Sequence, residues 1–366
     1  MLVPAKPYQR ALLFKGGAEH CSQIIMNNPK NILIFELNWL GDILFSFPLL
    51  RALKKEHKSA RITCAVVPRY AELLHGSPDV DDIVLLSDRR GILSFFEKIV
   101  FILKTRKKKY DVCYLLKPSK SKTMMACAAG IPERIGFSGK RSAITSEIKI
   151  PNVPMHRADT LLLLTGAKSG KISDKKYRYS VSEKDMKKAE DVLRNRLGGA
   201  CKFIAVHPAG NWPQKRWDRD SFAELIARLL AHNAAIKVVI TGAEGDKELA
   251  RYITEKVNDR RCFSLAGDTK LGELAAVFKK SGLVISSDSG PLHLAAAAGG
   301  RTIGLFGPTS PRITGQIGEG EHIVISSEGR IDCGLPCYAE DCLLNKKCMD
   351  VISVDEVFEI AVKALG

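Results

Sequence analysis

The sequence predicts an α/β protein whose two halves face each other across a cleft. Short apolar runs, typical of parallel strands buried on both faces, alternate with helical segments over residues 31–137 and again over residues 184–306. The alternation weakens between these stretches, where a linker is expected near residues 171–179. A chain of 366 residues is also too long for one typical core. Two domains are therefore expected, with the functional site between them.

Composition indicates a globular protein with a strong positive charge. The 45% of hydrophobic and 26% of charged residues suffice for two buried cores. The sequence contains no run of 18 or more apolar residues, so a membrane span is not expected. A net charge of +16 favours anionic partners, whether nucleic acid, an acidic membrane surface or a phosphorylated substrate. Residues 1–29 lack periodicity and a signal-peptide pattern, so we interpret them as an N-terminal extension of a cytoplasmic protein.

Residues 30–178 are interpreted as the first domain, which opens with an apolar strand at residues 31–37. Later strands are predicted at residues 59–67, 83–86, 111–116 and 134–137, and helices at residues 43–55, 91–109 and 123–129.

Asp42 follows Gly41 at the end of the first strand, and the carboxyl ends of parallel strands face the cleft. A carboxylate there can act as a general base, or it can simply cap the helix that follows. Lys117, Lys120 and Lys122 lie near a later strand end. Together with Gly41 they are candidates for contact with an anionic acceptor, and a solvated basic face is the alternative for the lysines.

The predicted helix at residues 91–109 joins an apolar and aromatic face to a basic cluster at its end. Such a helix can lie on an anionic membrane surface. The alternative is a helix that packs its apolar face on the core and keeps its basic end in water. The sequence leaves both interpretations open.

Residues 179–350 are interpreted as the second domain, with the same alternation of elements. Its strands are predicted at residues 203–206, 236–240, 262–265, 283–285 and 302–306, and its helices at residues 184–197, 220–230, 245–257 and 271–279.

The stretch at residues 283–299 has the pattern of a strand, a Ser-Asp-Ser-Gly turn and an Ala- and Leu-rich helix. Small residues at the turn allow backbone N–H groups at the helix start to bind a phosphate. The alternative is an ordinary cap, in which Asp288 or Ser289 satisfies the first helical turn. His293, inside this helix, fits either a ligand contact or a packed side chain.

Two further loops follow strands at the same predicted sheet edge, and together the three loops are consistent with a nucleotide-diphosphate pocket. In this pocket Lys215 supplies charge for phosphate, Gly290 allows close backbone approach, and Glu244 is placed for ribose hydroxyls. A Walker loop and a complete Gly-x-Gly-x-x-Gly motif after a strand are both missing. P-loop nucleotidases and dehydrogenases therefore lose support.

Four cysteines cluster near the end of the chain: Cys333, Cys337, Cys342 and Cys348. Their spacing is dense enough for a metal site, but it lacks the paired Cys-x-x-Cys units of zinc ribbons. A structural metal, disulfide pairs and reduced, partly buried thiols all remain open for this cluster.

Four motifs occur in an order that resembles glycosyltransferase family 9, the ADP-heptose:lipopolysaccharide heptosyltransferases. They are Leu-Gly-Asp-Ile-Leu at residues 40–44, His-Pro at 207–208 with Lys-Arg-Trp at 215–217, Ser-Asp-Ser-Gly-Pro-Leu-His at 287–293, and Gly-Leu-Phe-Gly-Pro-Thr-Ser-Pro at 304–311. The resemblance covers about residues 30–362.

The resemblance implies a GT-B fold, in which two Rossmann-like domains face each other, the first for the acceptor and the second for the nucleotide sugar. It implies inverting transfer of a heptose from ADP-heptose to the inner core of lipopolysaccharide, without a metal or other cofactor. The enzyme would be peripheral at the anionic cytoplasmic face of the inner membrane. In a GT-B chain the last segment, residues 351–366, forms a helix that packs back on the first domain.

The resemblance also implies roles for single residues. Asp42 matches the catalytic base and Lys215 the pyrophosphate-binding lysine. The phosphate-binding loop is matched by Asp288, Ser289, Gly290 and His293. Glu244 falls where the family has a ribose contact. Residues 36–39 depart from the Ser- and Thr-rich version of some members.

Two alternatives remain for the function. One is a glycosyltransferase that uses a UDP- or GDP-sugar. The other is a basic nucleic-acid-binding protein, which is disfavoured because the chain lacks an aromatic stacking platform or a helix-turn-helix pattern.

Overall fold

The computed structural model describes residues 29–88, 92–139, 143–166, 174–197, 202–339, 342 and 347–366. Nearly all of the predicted N-terminal extension lies outside these residues. Two six-stranded parallel sheets form the framework, in the orders β3-β2-β1-β4-β5-β6 and β12-β11-β10-β7-β8-β9. The two orders are the same doubly wound arrangement read from opposite ends. The predicted GT-B architecture of two Rossmann-like domains is therefore confirmed.

The first domain follows the predicted alternation closely. Its elements are β1 (Asn31–Phe35), α1 (Leu40–Glu56), β2 (Arg61–Val66), β3 (Asp82–Leu85), α2 (Ile92–Lys107), β4 (Val112–Leu115), α3 (Lys120–Ala128), β5 (Glu133–Phe137), β6 (Ser146–Ile148) and α4 (Arg157–Leu162). A short 3-10 helix, Pro68–Leu74, stands where a helix from residue 71 is suggested by the sequence.

The second domain repeats the pattern after the linker. Its elements are α5 (Glu183–Leu197), β7 (Phe203–His207), α6 (Arg219–His232), β8 (Lys237–Ile240), α7 (Lys247–Val257), β9 (Cys262–Ser264), α8 (Leu271–Lys280), β10 (Leu283–Ser287), α9 (Gly290–Ala297), β11 (Thr302–Phe306), α10 (Pro311–Thr314), β12 (His322–Ser326), α11 (Lys347–Asp350) and α12 (Val354–Leu365).

Helix α1 begins earlier than the sequence suggests, and this changes the interpretation of Asp42. Leu40 is its first residue and Trp39 occupies the cap position, so Asp42 lies inside the first turn. Asp42 is therefore not the N-cap of this helix. A carboxylate in the first turn is instead stabilised by the positive end of the helix dipole.

Two of the four edge strands, β6 and β12, are not predicted from the sequence. Each lies at an edge of its sheet and pairs with a single neighbour. Strand β6 has only three residues, and Val324 in β12 is 40% exposed. Edge strands of this kind lack the continuous apolar run that marks a strand buried on both faces.

The prediction that the last helix packs back on the first domain is wrong. Helix α12 packs on α6 and β10 of the second domain, where it buries Val357, Ala361 and Ala364. Asp355 in its first turn accepts a hydrogen bond from Arg228 of α6 at 2.7 Å. The apolar stripe of α12 is thus covered by its own domain.

One apolar core runs through both domains. It joins the helix-covered face of the first sheet, represented by Ile34 and Leu44, to Phe203 and Phe278 of the second domain. Tyr177, at the end of the linker, is fully buried in the same core. The sheets are therefore held in a fixed relation around the surface that they share.

Helices α1 and α9 touch at their N-terminal ends, and a glycine in each allows the contact. A Cβ atom on Gly290 would lie 2.7 Å from Cβ of Leu40. A Cβ atom on Gly41 would lie 2.9 Å from Cδ2 of His293. Real Cβ atoms do not approach that closely, so side chains at these positions would force the two domains apart or distort the helix starts.

We expect Gly290→Ala to lower the melting temperature by several degrees. Alanine is the better helix former, but overpacking costs typically about 1–3 kcal/mol, more than the gain in helix propensity. Differential scanning fluorimetry measures the change. Gly139→Ala is the matched control, because a Cβ atom there meets nothing within 4 Å. Equal melting temperatures for the two variants would contradict the close contact.

Candidate active site

A cavity of about 610 Å³ lies between the two domains, at the carboxyl ends of both sheets. The first domain contributes Asp42 and Arg69, and the second contributes Lys215, Arg216 and Ser289 to its lining. The structure thus brings the predicted base and the predicted phosphate-binding residues to one space. Its size suits a nucleotide-sized ligand.

The turn before α9 is open to a ligand rather than closed by its own side chain. Ser289 occupies the cap position in extended backbone, and its side chain makes no capping hydrogen bond. Its hydroxyl instead lies 3.1 Å from that of Ser286. The ordinary-cap interpretation therefore does not describe this turn, and the positive end of α9 faces the cavity.

Asp288 is the centre of a buried polar network. Its Oδ2 accepts hydrogen bonds from Nζ of Lys215 at 2.7 Å and from Oγ1 of Thr309 at 2.7 Å, while Nε2 of His293 lies 3.3 Å from Oδ1. Burial alone would raise the pKa of Asp288, but the hydrogen bond from His293 and the charge of Lys215 outweigh it and lower the pKa. The carboxylate is 4% exposed, so it positions Lys215 instead of meeting a phosphate itself.

His293 is a buried bridge between the domains. Its Nδ1 lies 3.1 Å from the hydroxyl of Tyr177, and its ring packs edge-on against Phe45 with centroids 4.8 Å apart. The Tyr177 hydroxyl also accepts a hydrogen bond from the backbone N–H of Ile317. Through these contacts the ring of His293 connects the linker and α1 to Asp288 of the second domain.

Asp42 lies half-buried in the cavity wall among positive charges from both domains. Burial raises the pKa of its carboxyl. The charges of Arg157 and Lys117 in the first domain, and of His293 and Lys215 in the second, act in the opposite direction. Asp42 therefore holds a proton more readily than an exposed aspartate, and it faces the predicted donor site.

Four other predicted residues do not line the cavity: Glu244, Lys117, Lys120 and Lys122. The side chain of Glu244 is 74% exposed, forms an ion pair with Lys247 at 2.7 Å, and does not line the cavity. Asp246, on the same turn, does line the cavity, and its Oδ2 accepts a hydrogen bond from the backbone N–H of Ala243. Lys120 is exposed at the start of α3 and lines no part of the cavity.

Lys122 is committed to internal contacts. Its Nζ donates to the backbone carbonyl of Glu36 at 2.5 Å and to Oδ1 of Asn38 at 3.3 Å. Burial lowers its pKa to about 8. The lysine therefore fixes the loop between β1 and α1, just before the helical turn that carries Asp42, and it does not line the cavity.

Glu36, at the end of β1, is fully enclosed beneath that loop. Its Oε1 accepts a hydrogen bond from the hydroxyl of Ser46 at 3.1 Å, and its Oε2 lies 3.4 Å from the backbone N–H of Leu37. Burial raises the pKa of Glu36 to about 7. The sequence shows this residue only as a departure from the family pattern, without indicating a buried acid.

Several cavity residues are missed by sequence reasoning. Glu72 of the first domain accepts a hydrogen bond at 3.0 Å from the backbone N–H of Gly272, at the start of α8. Arg69 lies over the rings of Trp39 and Tyr70. No sequence motif identifies Glu72 or Arg69 as cavity residues. The partner of Glu72 is 200 residues away in the sequence, and Arg69 contacts Trp39 of another loop as well as the adjacent Tyr70. Leu271, the first residue of α8, also lines the cavity.

The four clustered cysteines line a second, small cavity beside Trp212. No disulfide joins cysteines within the described ranges. Among the same residues, no group of three or more His, Cys, Asp or Glu side chains is placed to hold a metal ion.

Comparison with known proteins gives consistent matches. The family profile of glycosyltransferase family 9 (heptosyltransferase) matches residues 101–346. Lipopolysaccharide heptosyltransferase 2 of Escherichia coli K12 is 25% identical over 305 residues, covering 77% of this chain and 84% of that protein. The lipopolysaccharide core heptosyltransferase OpsX of Haemophilus influenzae is 24% identical over 309 residues, covering 81% and 84%.

Solved structures show the same architecture. A family 9 glycosyltransferase from Veillonella parvula DSM 2008 aligns with a TM-score of 0.77 and 21% identity, over 92% of this chain and 97% of that one. The E. coli ADP-heptose lipopolysaccharide heptosyltransferase II aligns with a TM-score of 0.74 and 23% identity, over 92% and 98%.

The shared fold is GT-B, and the match to the family profile makes the protein a glycosyltransferase of that fold. The family profile extends over more than half of the chain, so this protein belongs to glycosyltransferase family 9, the heptosyltransferases. The resemblance seen in the motifs is thereby confirmed. None of the helices in the described ranges is long and apolar enough to cross a membrane.

Because Glu36 is buried, we expect the stability of the fold to depend on pH. Its folded pKa of about 7 exceeds the ordinary value of 4.5, so its protonated form stabilises the fold fully below pH 4.5. That contribution is lost as the pH rises towards 7, and it amounts to on the order of 3 kcal/mol. Glu36→Gln keeps a neutral group, so its melting temperature should exceed that of the wild type increasingly from pH 5 to pH 7.5.

Melting curves across that pH range measure the difference. Glu147→Gln in β6, at the edge of the same sheet, is the control, since Glu147 is exposed. A constant offset between Glu36→Gln and the wild type at all pH values would show that Glu36 does not titrate in this range.

Proposed function

We propose that this enzyme transfers a heptose from ADP-heptose to the inner core of lipopolysaccharide, with inversion at the anomeric carbon. Support comes from family membership and from relatives that are named lipopolysaccharide heptosyltransferase 2 and lipopolysaccharide core heptosyltransferase OpsX. The single observation that carries the proposal is the cavity in which Asp42 of one domain faces Lys215 and the start of α9 of the other.

In the proposed reaction the ADP moiety binds the second domain. Lys215 and the positive end of α9 compensate the charge of the diphosphate, so that protein groups take the place of a metal. Asp288 holds Lys215 in position through the 2.7 Å ion pair. We assign Ser289 and Gly290 to the diphosphate through their backbone, because a side chain at Gly290 has no room.

The acceptor hydroxyl attacks the anomeric carbon from the face opposite ADP. Asp42 takes the proton from this hydroxyl as the new carbon–oxygen bond forms, and the bond to the diphosphate oxygen breaks with its electron pair leaving on ADP. The departing charge develops against Lys215 and α9, where fixed donors stabilise it. Lys117 and Arg157, whose charges act on Asp42, are proposed on the acceptor side.

The acceptor in this proposal is a glycolipid, so the enzyme works as a peripheral protein at the anionic cytoplasmic face of the inner membrane. The net charge of +16 supports attraction to such a surface.

Asp42→Asn should lower kcat by about 10²- to 10⁴-fold, the usual worth of general base catalysis, while ADP affinity changes little. The wild type should also lose kcat/KM as the pH falls through the raised pKa of Asp42, because only the carboxylate accepts a proton. This acid limb should be missing in the variant. Steady-state transfer assays and ADP titration measure these quantities.

Asp191→Asn, at an exposed position of α5, is the matched control. Wild-type turnover by the Asp42 variant would remove it from the role of base.

The donor nucleotide is tested by thermal stabilisation. ADP at about 100 times its dissociation constant should stabilise the fold by roughly 2.7 kcal/mol, with UDP and GDP less effective at equal concentration. Lys215→Ala should weaken the ADP effect, whereas Lys202→Ala, an exposed position before β7, should not. Preference for UDP or GDP would favour a different sugar donor. Salt-dependent DNA binding without any nucleotide response would favour a nucleic-acid-binding protein.

A further inference from the structure

Helix α2 exposes most of its apolar side chains and buries two small polar ones. Among its residues 93–107, six large apolar side chains are 37–69% exposed: Leu93, Phe95, Phe96, Ile99, Val100 and Leu103. The inward face consists of Ser94 and Thr105, both nearly inaccessible, with Phe101 packed on Phe35 of β1. A surface helix that faces water has the opposite arrangement.

The inversion is clear from helical geometry. Successive residues are about 100° apart, so the six apolar side chains cover an arc of roughly 160°, and the buried residues lie on the far side. Within the described part of the chain, the hydroxyl of Ser94 finds no hydrogen-bond partner. The helix thus keeps a polar group inside while large apolar groups stay outside, which indicates that its outer face meets an apolar environment.

Positively charged residues follow the exposed apolar side chains at the C-terminal end of α2. Lys104, Arg106 and Lys107 form the last turn of α2, and Lys108 and Lys109 follow it. By the same geometry, Arg106 and Lys107 project within the arc of the apolar side chains. An apolar stripe that ends in several cations is complementary to an anionic lipid bilayer, whose acyl region takes the apolar groups and whose headgroups pair with the cations.

The neighbouring helix extends this surface. Helix α3 packs beside α2, and Met124 on α3 is a large apolar side chain that is more than half exposed. Strand β4 connects the two helices, and Lys117 just beyond it is a residue whose charge acts on Asp42. A surface held against α2 would therefore lie on the acceptor domain and not on the nucleotide domain.

We propose that α2 docks the enzyme on an anionic phospholipid surface, with the helix lying in the plane of the interface. The choice of a bilayer as partner rests on the proposed function, in which the acceptor is a membrane glycolipid. The inverted helix and its cations are independent of that function. Docking through α2 would present the acceptor side of the cavity to molecules anchored in the same bilayer.

Vesicle sedimentation of the full-length protein tests the proposal. Wild-type protein should bind phosphatidylglycerol-containing vesicles more tightly than pure phosphatidylcholine vesicles, and added salt should weaken the binding. Phe95→Ser combined with Phe96→Ser should weaken binding to the anionic vesicles at least tenfold, since two aromatic side chains no longer enter the bilayer. Lys104→Glu combined with Lys107→Glu should remove the preference for anionic lipid.

A matched control replaces exposed apolar residues elsewhere. Val153→Ser combined with Val324→Ser removes two side chains that are 60% and 40% exposed, and its vesicle binding should equal that of the wild type. Binding of both α2 variants at wild-type strength would overturn the proposal. So would a wild-type dimer that ignores vesicles and becomes monomeric in the Phe95/Phe96 variant, because a second copy would then cover α2.

Transfer to a deacylated, water-soluble core oligosaccharide separates this proposal from the proposed function. The α2 variants should keep wild-type rates on this acceptor without vesicles, because α2 takes no part in the cavity. If no protein transfers heptose while the pattern of vesicle binding holds, docking stands and the proposed function fails. If transfer proceeds and both α2 variants bind vesicles as the wild type does, the reverse conclusion follows.

Discussion

Helices α1 and α9 meet at their N-terminal ends, and the architecture of the cavity depends on that contact. Helix α1 carries Asp42 in its first turn, and α9 starts at Gly290 on the other side. Both N-termini are positive ends of helix dipoles, so bringing them together is unfavourable unless negative charge is near. Asp42 supplies part of that charge in the free enzyme, and the diphosphate of a donor would supply more. The same geometry that joins the domains therefore creates affinity for an anionic ligand.

The ion pair of Lys215 with Asp288 shows how the second domain positions a positive charge for an anionic ligand. A free lysine would lose side-chain entropy on gripping a phosphate, but Lys215 is already held at 2.7 Å by a buried carboxylate. Asp288 is held in turn by Thr309 and His293, and His293 by Tyr177 from the linker. A residue matched to a phosphate-binding motif thus acts by positioning a cation, and its network reaches the segment that connects the domains.

The sequence predicts the sheets and the sheet edge well, because apolar strands and the loops after them are local patterns. It locates Asp42, Lys215 and Ser289 correctly at that edge, since the carboxyl ends of parallel strands must meet there. It fails where partners come from distant parts of the chain. The hydrogen bond from Gly272 to Glu72 joins residues 200 positions apart, and α12 covers α6 instead of the first domain. Such choices depend on tertiary packing that no local pattern encodes.

Helix α2 is another case in which the sequence pattern does not determine the tertiary packing. Periodicity identifies an apolar face at residues 92–107 but does not say whether that face turns towards the sheet or away from it. The helix turns Phe101, Ser94 and Thr105 inward, and Phe101 packs beside Phe35 of the sheet. An ordinary core helix would bury its larger apolar face, because that choice removes more apolar area from water. The observed orientation gives up this stabilisation in water, and contact of the apolar face with a bilayer, as proposed above, would restore it.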